Sequence, residues 1–332
     1  MIVSRTPFRV SFFGGGSDYP AWYLKHGGVV LGTTIDKYCY ISCRHLPPFF
    51  HYKHRIVHSR IDNVTDINDI THPAVRGILE YMGETAGLEI HHNGDLPARS
   101  GLGSSSSFTV GLIHVLMALH GKMISKKDLA SRAVHVEQDV LKEHVGSQDQ
   151  ILTTHGGFNM IEFRQDGSYD ISPVILDREK SVQFQKHLML FFTGFTRFAS
   201  DIAKSHIDNL ELKTRETRTM MQMAQEAKEC LQSENPRFVD FGQLLREYWK
   251  YKRDLSDKVS TSEIDQIHDT GIRAGALGGK LLGAGGGGFF LFFVKPEDQP
   301  KVREALKDLV HVNFNLESTG SKIVIYEPTD FQ

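Results

Sequence analysis

Short runs of apolar, β-branched and aromatic residues predict strands through the first half of the chain. These runs are Arg9–Phe13, Val29–Ile35, Lys37–Cys43, Gly87–Asn93 and Gly156–Phe163. Residues of these types suit the pleated surface of a sheet. Phe49–Ser59 is predicted to be a further hairpin or a loop. The first half is therefore expected to be built around a sheet.

Apolar residues that recur every three or four positions predict helices between these strands. The predicted helices are His72–Tyr81, Ser104–His120 and Ser125–His144. Pro73 suits the first turn of the first helix, and Gly121 is a common stop after the second. The third helix begins with a capping-box pattern, because Asp128 follows its first serine by three residues.

A polar stretch without periodicity, Asp166–Glu179, separates the two halves and is the predicted domain boundary. The predicted elements beyond it are strand Leu188–Thr193, helices Ser200–Leu231, Arg237–Leu255 and Ser262–Ala276, strand Phe289–Val294, helix Gln299–Leu309, and strands Val312–Leu316 and Lys322–Tyr326. Strands interleaved with helices favour an α+β protein. We expect two domains, residues 1–175 and residues 176–332.

Composition and charge narrow the range of partners. The chain has 332 residues, a formal net charge of -2 and a pI of about 6.8. This balance gives no strong field for nucleic acid or an anionic membrane, so neither is expected as a partner. The three cysteines are too sparse for a disulfide framework, which indicates a reducing compartment. The first residues read as a strand without the apolar core of a signal peptide, so we expect a cytoplasmic protein.

The segment Pro97–Ser107 is the clearest candidate for binding phosphate. Gly101 and Gly103 let the backbone approach an anion closely, and four serines follow at the predicted start of a helix. The unpaired N–H groups and the positive dipole of a first helical turn attract anions. A serine hydroxyl can also complete the ligand shell of Mg²⁺. Because one serine would suffice as a helix cap, four in a row favour phosphate binding.

A second glycine segment, Arg5–Pro20, has two interpretations. It contains Gly14–Gly16 followed by Ser-Asp-Tyr. In a substrate loop, Asp18 would accept hydrogen bonds from sugar hydroxyls and Arg9 would offer a fork to oxyanions. A plain glycine turn, with the aspartate capping a helix over Tyr19–His26, explains the same residues equally well. The segment alone leaves both interpretations open.

A third glycine segment, Gly283–Gly288, contains the spacing G-x-G-x-x-G. A dinucleotide site needs this pattern between a strand and a following helix, whereas here a helix is predicted before it and strand Phe289–Val294 after it. A Walker A motif also fails, because Gly275–Lys280 has the wrong spacing and Leu281 replaces the required serine or threonine. We therefore expect a glycine turn that supports the phosphate loop or the substrate.

Two carboxylates are candidates for the chemistry. Glu137 shares a helical stripe with Ala130 and Val134, so its side chain is expected to face inward or into a cleft. An unpaired buried carboxylate is costly, and either Mg²⁺ or a neighbouring arginine or lysine would satisfy it. Asp149 lies in a predicted loop, where it would accept the proton of an attacking hydroxyl or cap a turn.

As a set, these segments resemble the GHMP kinases, the family named for galactokinase, homoserine kinase, mevalonate kinase and phosphomevalonate kinase. Thr6–Tyr19 is similar to the first family motif, in the galactokinase-like version with an Asp-Tyr pair. Pro97–Ser107, with Gly-Leu-Gly-Ser-Ser, looks like the second motif, and Lys280–Phe290 looks like the third. The order and spacing of the three motifs extend over nearly the whole chain.

The resemblance implies a fold and a pair of cofactors. The N-terminal domain would be of the ribosomal-protein-S5-domain-2-like type and the C-terminal domain ferredoxin-like, with the active site between them. The enzyme would use ATP and Mg²⁺. The implied nucleotide contacts are Pro97, Gly101, Leu102, Gly103, Ser104, Ser105, Ser106 and Ser107.

The resemblance also implies roles for individual side chains. Ser105 and Glu137 match the family's Mg²⁺ ligands, Asp149 matches its catalytic aspartate, and Arg9 accompanies it as a catalytic residue. Mevalonate kinases have lysine where galactokinases have this arginine, so the arginine favours the sugar branch. The implied substrate contacts are Ser17, Asp18, Gly285, Gly286 and Arg197.

Within the sugar branch, the chain most resembles bacterial D-glycero-D-manno-heptose 7-phosphate kinases, which phosphorylate an anomeric hydroxyl. Phe12–Tyr19 and Thr193–Arg197 carry that resemblance. A substrate that already bears a phosphate needs a second cationic pocket, for which Arg197, Lys53, Arg55 and Arg76 are candidates, although most of them also read as ordinary surface charges.

Two alternatives stay open at this point. The enzyme would be an anomeric kinase for another sugar, such as fucose, galactose or a uronic acid, or the fold would serve as a non-catalytic sensor of sugar and nucleotide. Retention of Glu137, Asp149 and the serine loop argues against the sensor. A homodimer is a further possibility.

Overall fold

Strands and helices alternate along the chain in this computed structural model, which describes residues 1–195 and 199–328 and, at 199–201, the backbone alone. The strands are β1 Ile2–Phe13, β2 Gly28–His45, β3 His54–Val57, β4 Ile61–Val64, β5 Leu88–Gly94, β6 Phe158–Phe163, β7 Tyr169–Pro173, β8 Leu188–Phe192, β9 Ala276–Leu281, β10 Phe289–Val294, β11 Val310–Val312, β12 Leu316–Glu317 and β13 Lys322–Tyr326. The helices are α1 Pro20–His26, α2 Pro73–Met82, α3 Ser104–Leu119, α4 Lys126–His135, α5 Gln148–His155, α6 Arg178–Lys186, α7 Ala199–Asn209, α8 Thr214–Gln232, α9 Phe238–Asp254, α10 Ser262–Arg273 and α11 Gln299–Ala305. The predicted α+β class is confirmed.

The larger sheet is organised around the antiparallel pair β1 and β2. Its main order is β13-β1-β2-β5-β3-β4, and β12 and β6 also pair with β2. The two strands predicted at Val29–Ile35 and Lys37–Cys43 are one strand of 18 residues. The register of β1 against β2 shifts between Pro7 and Phe8, so Asp36 and its neighbour form a bulge. This polar bulge explains why the sequence pattern divided one strand into two.

Helix α3 is buried beneath β1 and β2. Its residues from Ser106 to Met117 are almost all buried, and a helix that is apolar on every side belongs inside a protein. The helix approaches the sheet closely, since Ser4 Oγ donates a hydrogen bond to the carbonyl oxygen of Gly111 over 2.9 Å. The start of α3 lies beside the middle of β1, because Ser107 Oγ donates to the carbonyl oxygen of Pro7 and the N–H of Arg9 donates to that of Leu102.

The smaller sheet, in the order β11-β8-β10-β9, is antiparallel and forms the second half with α8, α9 and α10. Strand β9 was not predicted, because its Gly278-Gly279 pair reads as part of the glycine cluster. A Cβ atom on Gly278 would lie 2.0 Å from the carbonyl oxygen of Gly242 in α9, so the glycine permits close helix packing. The glycine turn therefore joins two strands. The helix predicted at Ser262–Ala276 is present as α10, but β9 lies between it and the turn.

The two halves share an aromatic interface and a continuous sheet. Phe12 packs edge-on against Phe184 and Phe241, with ring centroids 5.6 and 5.7 Å apart. The last strands, β12 and β13, return to pair with β2 and β1. Residues within the predicted range 176–332 thus complete the first sheet, and the division at residues 175 and 176 stays a prediction.

Several predicted helices differ from the observed ones. The helix predicted at Ser125–His144 consists of α4 and a π-helical turn at Val136–Val140. The helix predicted at Ser200–Leu231 is divided into α7 and α8. Helices α5 and α6 and strand β7 were not predicted, because they are short and polar. No helix in the described part of the chain is long and apolar enough to cross a membrane.

Candidate active site

The segment Pro97–Ser107 forms a strained turn that leads into α3. Arg99, Gly101 and Gly103 have left-handed backbone conformations, with φ angles of 58°, 81° and 73°. Such a conformation stores strain at a non-glycine residue, and here the N–H of Arg99 donates to Ser104 Oγ over 3.0 Å. Helix α3 begins at Ser104 without a side-chain cap, so the N–H groups of its first turn are available to an anion.

The glycine turn between β9 and β10 lies directly against Pro97–Ser107, the predicted phosphate loop. A Cβ atom on Gly101 would lie 2.4 Å from the carbonyl oxygen of Leu282, and one on Gly288 would lie 2.3 Å from that of Ser100. The N–H of Phe289 donates to the Ser100 carbonyl oxygen over 3.0 Å. Because no side chain fits at these separations, glycine is required on both sides of the contact.

The four serines of the phosphate loop have different surroundings. Ser104 accepts the loop hydrogen bond described above, and the side chain of Ser105 is exposed. Ser106 is buried and donates to Glu137 Oε2 over 2.8 Å. Ser107 is also buried and donates to the carbonyl oxygen of Pro7 in β1 over 2.9 Å. The serine that contacts Glu137 is thus Ser106, and the role of Ser105 as a metal ligand stays a prediction.

Arg9 and Asp149 form a two-point ion pair beside the phosphate loop. Arg9 Nε and Nη2 donate to the two carboxylate oxygens of Asp149 over 2.7 and 2.6 Å, and Arg9 Nη1 donates to the carbonyl oxygen of Gly101 over 2.5 Å. This fork geometry fixes both side chains. A Cβ atom on Gly103 would lie 3.3 Å from Asp149 Oδ2, so the carboxylate adjoins the start of α3.

The local structure at Asp149 differs from the prediction. The sequence placed this residue in a loop, but it lies in the first turn of α5. The helix holds the carboxylate rigidly, and its side chain is 22% exposed while that of Arg9 is 4% exposed. Asp149 therefore reaches solvent at the mouth of the site, whereas the arginine behind it is buried.

Glu137 lies in the π-helical turn that follows α4. The N–H of Leu141 donates to the carbonyl oxygen of Val136 over 2.8 Å, which widens the turn and turns Glu137 inward. The carboxylate accepts hydrogen bonds from Ser106, from Thr109 over 2.9 Å and from Gln150. Burial raises the pKa of Glu137 to about 7, against the opposing effect of these three hydrogen bonds.

These residues fit the ligand chemistry of Mg²⁺. Carboxylate and hydroxyl oxygens are hard donors of the kind this ion prefers, and the three groups that contact Glu137 are neutral. A buried carboxylate with neutral partners is a group that a divalent cation would compensate. Among the described residues, no cluster of three or more His, Cys, Asp or Glu could hold a metal, so further ligands would come from phosphate oxygens and water.

Ser17 shapes the glycine loop between β1 and α1. Its hydroxyl is buried and donates to the carbonyl oxygen of Gly14 over 2.8 Å, while it accepts from the N–H of Val29 over 3.0 Å. These bonds tie the loop to the start of β2. The predicted contact of Ser17 with substrate stays a prediction.

Asp18 links the glycine loop to the segment before Asp149. It is buried, and its carboxylate accepts from the N–H of Gly16 over 2.9 Å and from that of Gln148 over 3.3 Å. Burial raises its pKa, and the negative charge of Asp149 contributes to the shift. Helix α1 has Tyr19 at its N-cap without a side-chain hydrogen bond, so the interpretation of Asp18 as a helix cap is wrong.

Gly285 and Gly286, two further predicted substrate residues, lie against Val259. Gly286 donates its N–H to the carbonyl oxygen of Val259 over 3.0 Å, and a Cβ atom on Gly285 would lie 2.7 Å from the same residue. Their role at the substrate stays a prediction, and Arg197 lies outside the described residues.

The other cations suggested for a second phosphate pocket have contacts of their own or are exposed. Arg55 contacts Glu89 at 3.7 Å, Arg76 donates to the carbonyl oxygen of Ile70 over 3.2 Å, and Lys53 is exposed.

Sequence reasoning missed three buried basic side chains beside the glycine loop at Gly14–Gly16 or the glycine turn at Gly283–Gly288. Lys280 donates to the carbonyl oxygens of Ser11 and Phe12 over 2.9 and 2.8 Å. The ring of His206 would lie 2.7 Å from a Cβ atom on Gly16, and Lys252 is buried in α9. The sequence could have indicated that Lys252 is buried, because it continues the apolar stripe of its helix. No sequence pattern indicates the burial of Lys280 or His206.

Comparisons with known proteins identify the family to which this chain belongs. Residues 69–157 match the family model described as GHMP kinases N terminal domain, and residues 223–311 match the model described as GHMP kinases C terminal. The chain is 29% identical over 322 residues to D-glycero-alpha-D-manno-heptose 7-phosphate kinase of Campylobacter jejuni, a match that spans 92% of this chain and 93% of that protein. It is 30% identical over 231 residues to mevalonate kinase of Methanothermobacter thermautotrophicus, spanning 64% of this chain and 68% of that protein.

A solved structure shares the fold. The crystal structure of a D-glycero-D-manno-heptose 1-phosphate kinase from Bacteroides thetaiotaomicron has a TM-score of 0.80 against this chain. The superposition includes 98% of this chain and 100% of that chain, at 22% sequence identity. At that identity the likeness shows a common fold.

Proposed function

Since this chain belongs to the GHMP kinase family and is an ATP-dependent sugar kinase, we propose that it transfers the γ-phosphoryl group of ATP to the anomeric hydroxyl of D-glycero-D-manno-heptose 7-phosphate. The choice of sugar rests on the heptose kinase of Campylobacter jejuni, whose length this chain matches almost completely. The observation that carries the chemistry is the ion pair of Arg9 and Asp149 beside Gly103.

Asp149 is the proposed partner of the acceptor hydroxyl. Its carboxylate is partly exposed, and a hydroxyl that donates to it would be oriented for attack or would lose its proton to it. Arg9 holds both carboxylate oxygens, so the acid cannot turn away from the phosphate loop. The same guanidinium adds positive charge where charge develops on the transferred group.

The phosphate chain of ATP would lie at the start of α3. The uncapped N–H groups of that helix and the left-handed glycines Gly101 and Gly103 provide donors without side-chain obstruction. Glu137, together with a serine hydroxyl of the same loop, would hold Mg²⁺. When bound, the ion would neutralise charge on the phosphate oxygens. Ser17, Asp18, Gly285, Gly286 and Arg197 remain the proposed residues around the sugar.

A panel of acceptors with coupled detection of ADP tests this function. The panel would contain heptose 7-phosphate, fucose, galactose, mannose, a uronic acid and mevalonate. We expect the highest kcat/KM with heptose 7-phosphate, and ³¹P and ¹H NMR of the product should show a new phosphate on the anomeric carbon.

Two outcomes would contradict the proposal. Preferred turnover of another sugar would retain the kinase but reject the heptose substrate. Binding of ATP without release of ADP, for every acceptor in the panel, would favour a sensor of sugar and nucleotide. A fresh preparation with intact thermal stability must give the same result before either conclusion is drawn.

A further inference from the structure

Lys252 is a buried lysine whose ammonium contacts backbone carbonyls. It lies on α9, is 8% exposed, and continues a stripe with Leu245 and Trp249, both fully buried. Its Nζ donates to the carbonyl oxygen of Leu281 over 2.9 Å and to that of Gly283 over 2.6 Å. The side chain therefore holds the first residues of the glycine turn.

Gly283 in turn contacts the segment that holds Arg9 and Asp149. A Cβ atom on Gly283 would lie 2.5 Å from Gly101 Cα, so the two backbones touch. The carbonyl oxygen of Gly101 accepts a hydrogen bond from Arg9 over 2.5 Å, and Arg9 in turn holds Asp149. Four successive contacts thus join the Lys252 ammonium to the catalytic carboxylate.

The charge of Lys252 is costly where it lies. Burial lowers its pKa to about 7, and repulsion by Arg9 adds to the shift, while Asp18 opposes it. Lys280 is a further buried lysine in the same region, and burial lowers its pKa well below the ordinary value, with the charge of Lys252 adding to the shift. Burial also lowers the pKa of His206 to about 4, and the charge of Lys252 contributes. The two hydrogen bonds to carbonyl oxygens offset part of this cost, so the ammonium is held where the glycine turn begins.

We propose that Lys252 is a positioning residue for phosphoryl transfer, which holds the glycine turn against the phosphate loop and thereby fixes Arg9 and Asp149. It acts through Gly283 and Gly101 rather than by touching the reacting atoms. This inference rests on the proposed kinase function and adds a residue outside the three family motifs.

The test compares Lys252→Met with Lys250→Met. Both lysines lie on α9, but Lys250 is 56% exposed and pairs with Glu247, so its loss controls for a lysine removed from the same helix. Methionine preserves the length of the side chain and removes the donors. We expect Lys252→Met to lower kcat roughly 10- to 100-fold, with KM for ATP changed less than about threefold and the variant still folded at the assay temperature, as its melting curve would show. Lys252→Arg should restore part of kcat, because it can still donate to both carbonyls.

A second measurement does not depend on turnover. Hydrogen exchange of the peptides that contain residues 5–13 and 97–107 should become faster in Lys252→Met and stay unchanged in Lys250→Met. Unchanged exchange in these peptides, or a kcat within twofold of the original enzyme, would overturn the inference. If the original protein releases no ADP with any acceptor while the exchange difference is present, the proposed function fails and the structural coupling stands.

Discussion

Arg9 and Asp149 are 140 positions apart in the chain, yet their side chains meet in a two-point hydrogen bond at the phosphate loop. Strand β1 carries the arginine, and the first turn of α5 carries the aspartate. A third bond from Arg9 to Gly101 joins this pair to the backbone that would hold phosphate. The geometry of the loop and that of the acid are therefore set by the same guanidinium.

Replacement of Asp149 by alanine should remove most of kcat. We expect a loss of roughly 10²- to 10⁴-fold, because the acceptor hydroxyl loses the group that orients it or takes its proton. Affinity for ATP should change little, since the N–H groups of α3 remain. Single-turnover kinetics and calorimetric titration with a non-hydrolysable ATP analogue would measure the two quantities separately.

Asp149→Asn separates charge from shape. The amide keeps the size of the side chain but offers one acceptor oxygen to Arg9 instead of two. Asp170→Ala is a suitable control, because Asp170 is exposed and pairs only with surface Arg164 among the described residues. Turnover of Asp149→Asn close to that of the original enzyme would refute a role as base and leave positioning as its function.

Arg9→Lys should weaken catalysis without abolishing binding of ATP. Lysine keeps the charge but cannot form the parallel pair of bonds to Asp149 together with the bond to Gly101. We expect kcat to fall roughly 10- to 100-fold, which corresponds to about 1–3 kcal/mol of transition-state stabilisation. Steady-state kinetics with saturating ATP would measure the loss. Equal kcat for the two proteins would show that the fork geometry is not needed.

The sequence predicted the family and the fold class, and both are confirmed. It also predicted the turn at Pro97–Ser107 before α3, whose role in binding phosphate stays a prediction. Glycines and hydroxyl residues predict turns and helix starts well, because these local structures depend on a few adjacent residues. The segment Pro97–Ser107 is the best example. Its glycines and serines predict the turn and the start of α3, whereas the close contact of Gly101 with Leu282 depends on a distant segment.

Contacts between distant segments could not be predicted in the same way. The pairing of Ser106, rather than Ser105, with Glu137 depends on one widened turn after α4. Strand β9 was missed because its glycines serve helix packing, which is a tertiary requirement. The return of β13 to β1 likewise reflects sheet completion across the whole chain, which no local pattern reports.

Gly101→Ala should damage both stability and nucleotide binding. Its φ of 81° is unfavourable for alanine, and its new methyl group would meet the carbonyl oxygen of Leu282 at 2.4 Å. Gly121→Ala is a matched control, because its φ is 65° but nothing lies within 4 Å of the new atom. We expect the control to lose about 1 kcal/mol of unfolding free energy from backbone strain. Gly101→Ala should lose more and should raise KM for ATP, as urea denaturation and kinetics would show.

The free energy of unfolding should depend on pH through Glu137. Its pKa of about 7 in the folded protein exceeds the ordinary value of 4.5, so the folded state binds more protons between these limits. This contribution to stability is complete below pH 4.5 and is lost as pH rises through 7. The difference amounts to roughly 3 kcal/mol, and Glu137→Gln should remove it. Urea denaturation at pH 5 and pH 8 without Mg²⁺ would test this, with Glu162→Gln on the exposed face of β6 as the control.

The proton that Glu137 binds near pH 7 should compete with Mg²⁺. Below pH 7 the carboxyl of Glu137 is increasingly protonated, so the ion must displace a proton in order to bind. We expect the apparent affinity for Mg²⁺ in the presence of an ATP analogue to fall up to about tenfold per pH unit below 7. Calorimetry in buffers of different ionisation enthalpy should detect the released proton. Binding without pH dependence would place the ion elsewhere.

Ser105→Ala and Ser106→Ala should separate a metal ligand from a structural hydrogen bond. Ser105 is exposed at the first turn of α3, so its loss should raise the Mg²⁺ concentration needed for half-maximal activity while leaving thermal stability unchanged. Ser106 is buried against Glu137, and its loss should cost about 1–3 kcal/mol of unfolding free energy, because the carboxylate loses a donor. Each variant thus serves as the control for the other. If Ser106→Ala alone changed the Mg²⁺ requirement, the ligand would be Ser106, and the assignment carried by the family resemblance would be displaced by one residue.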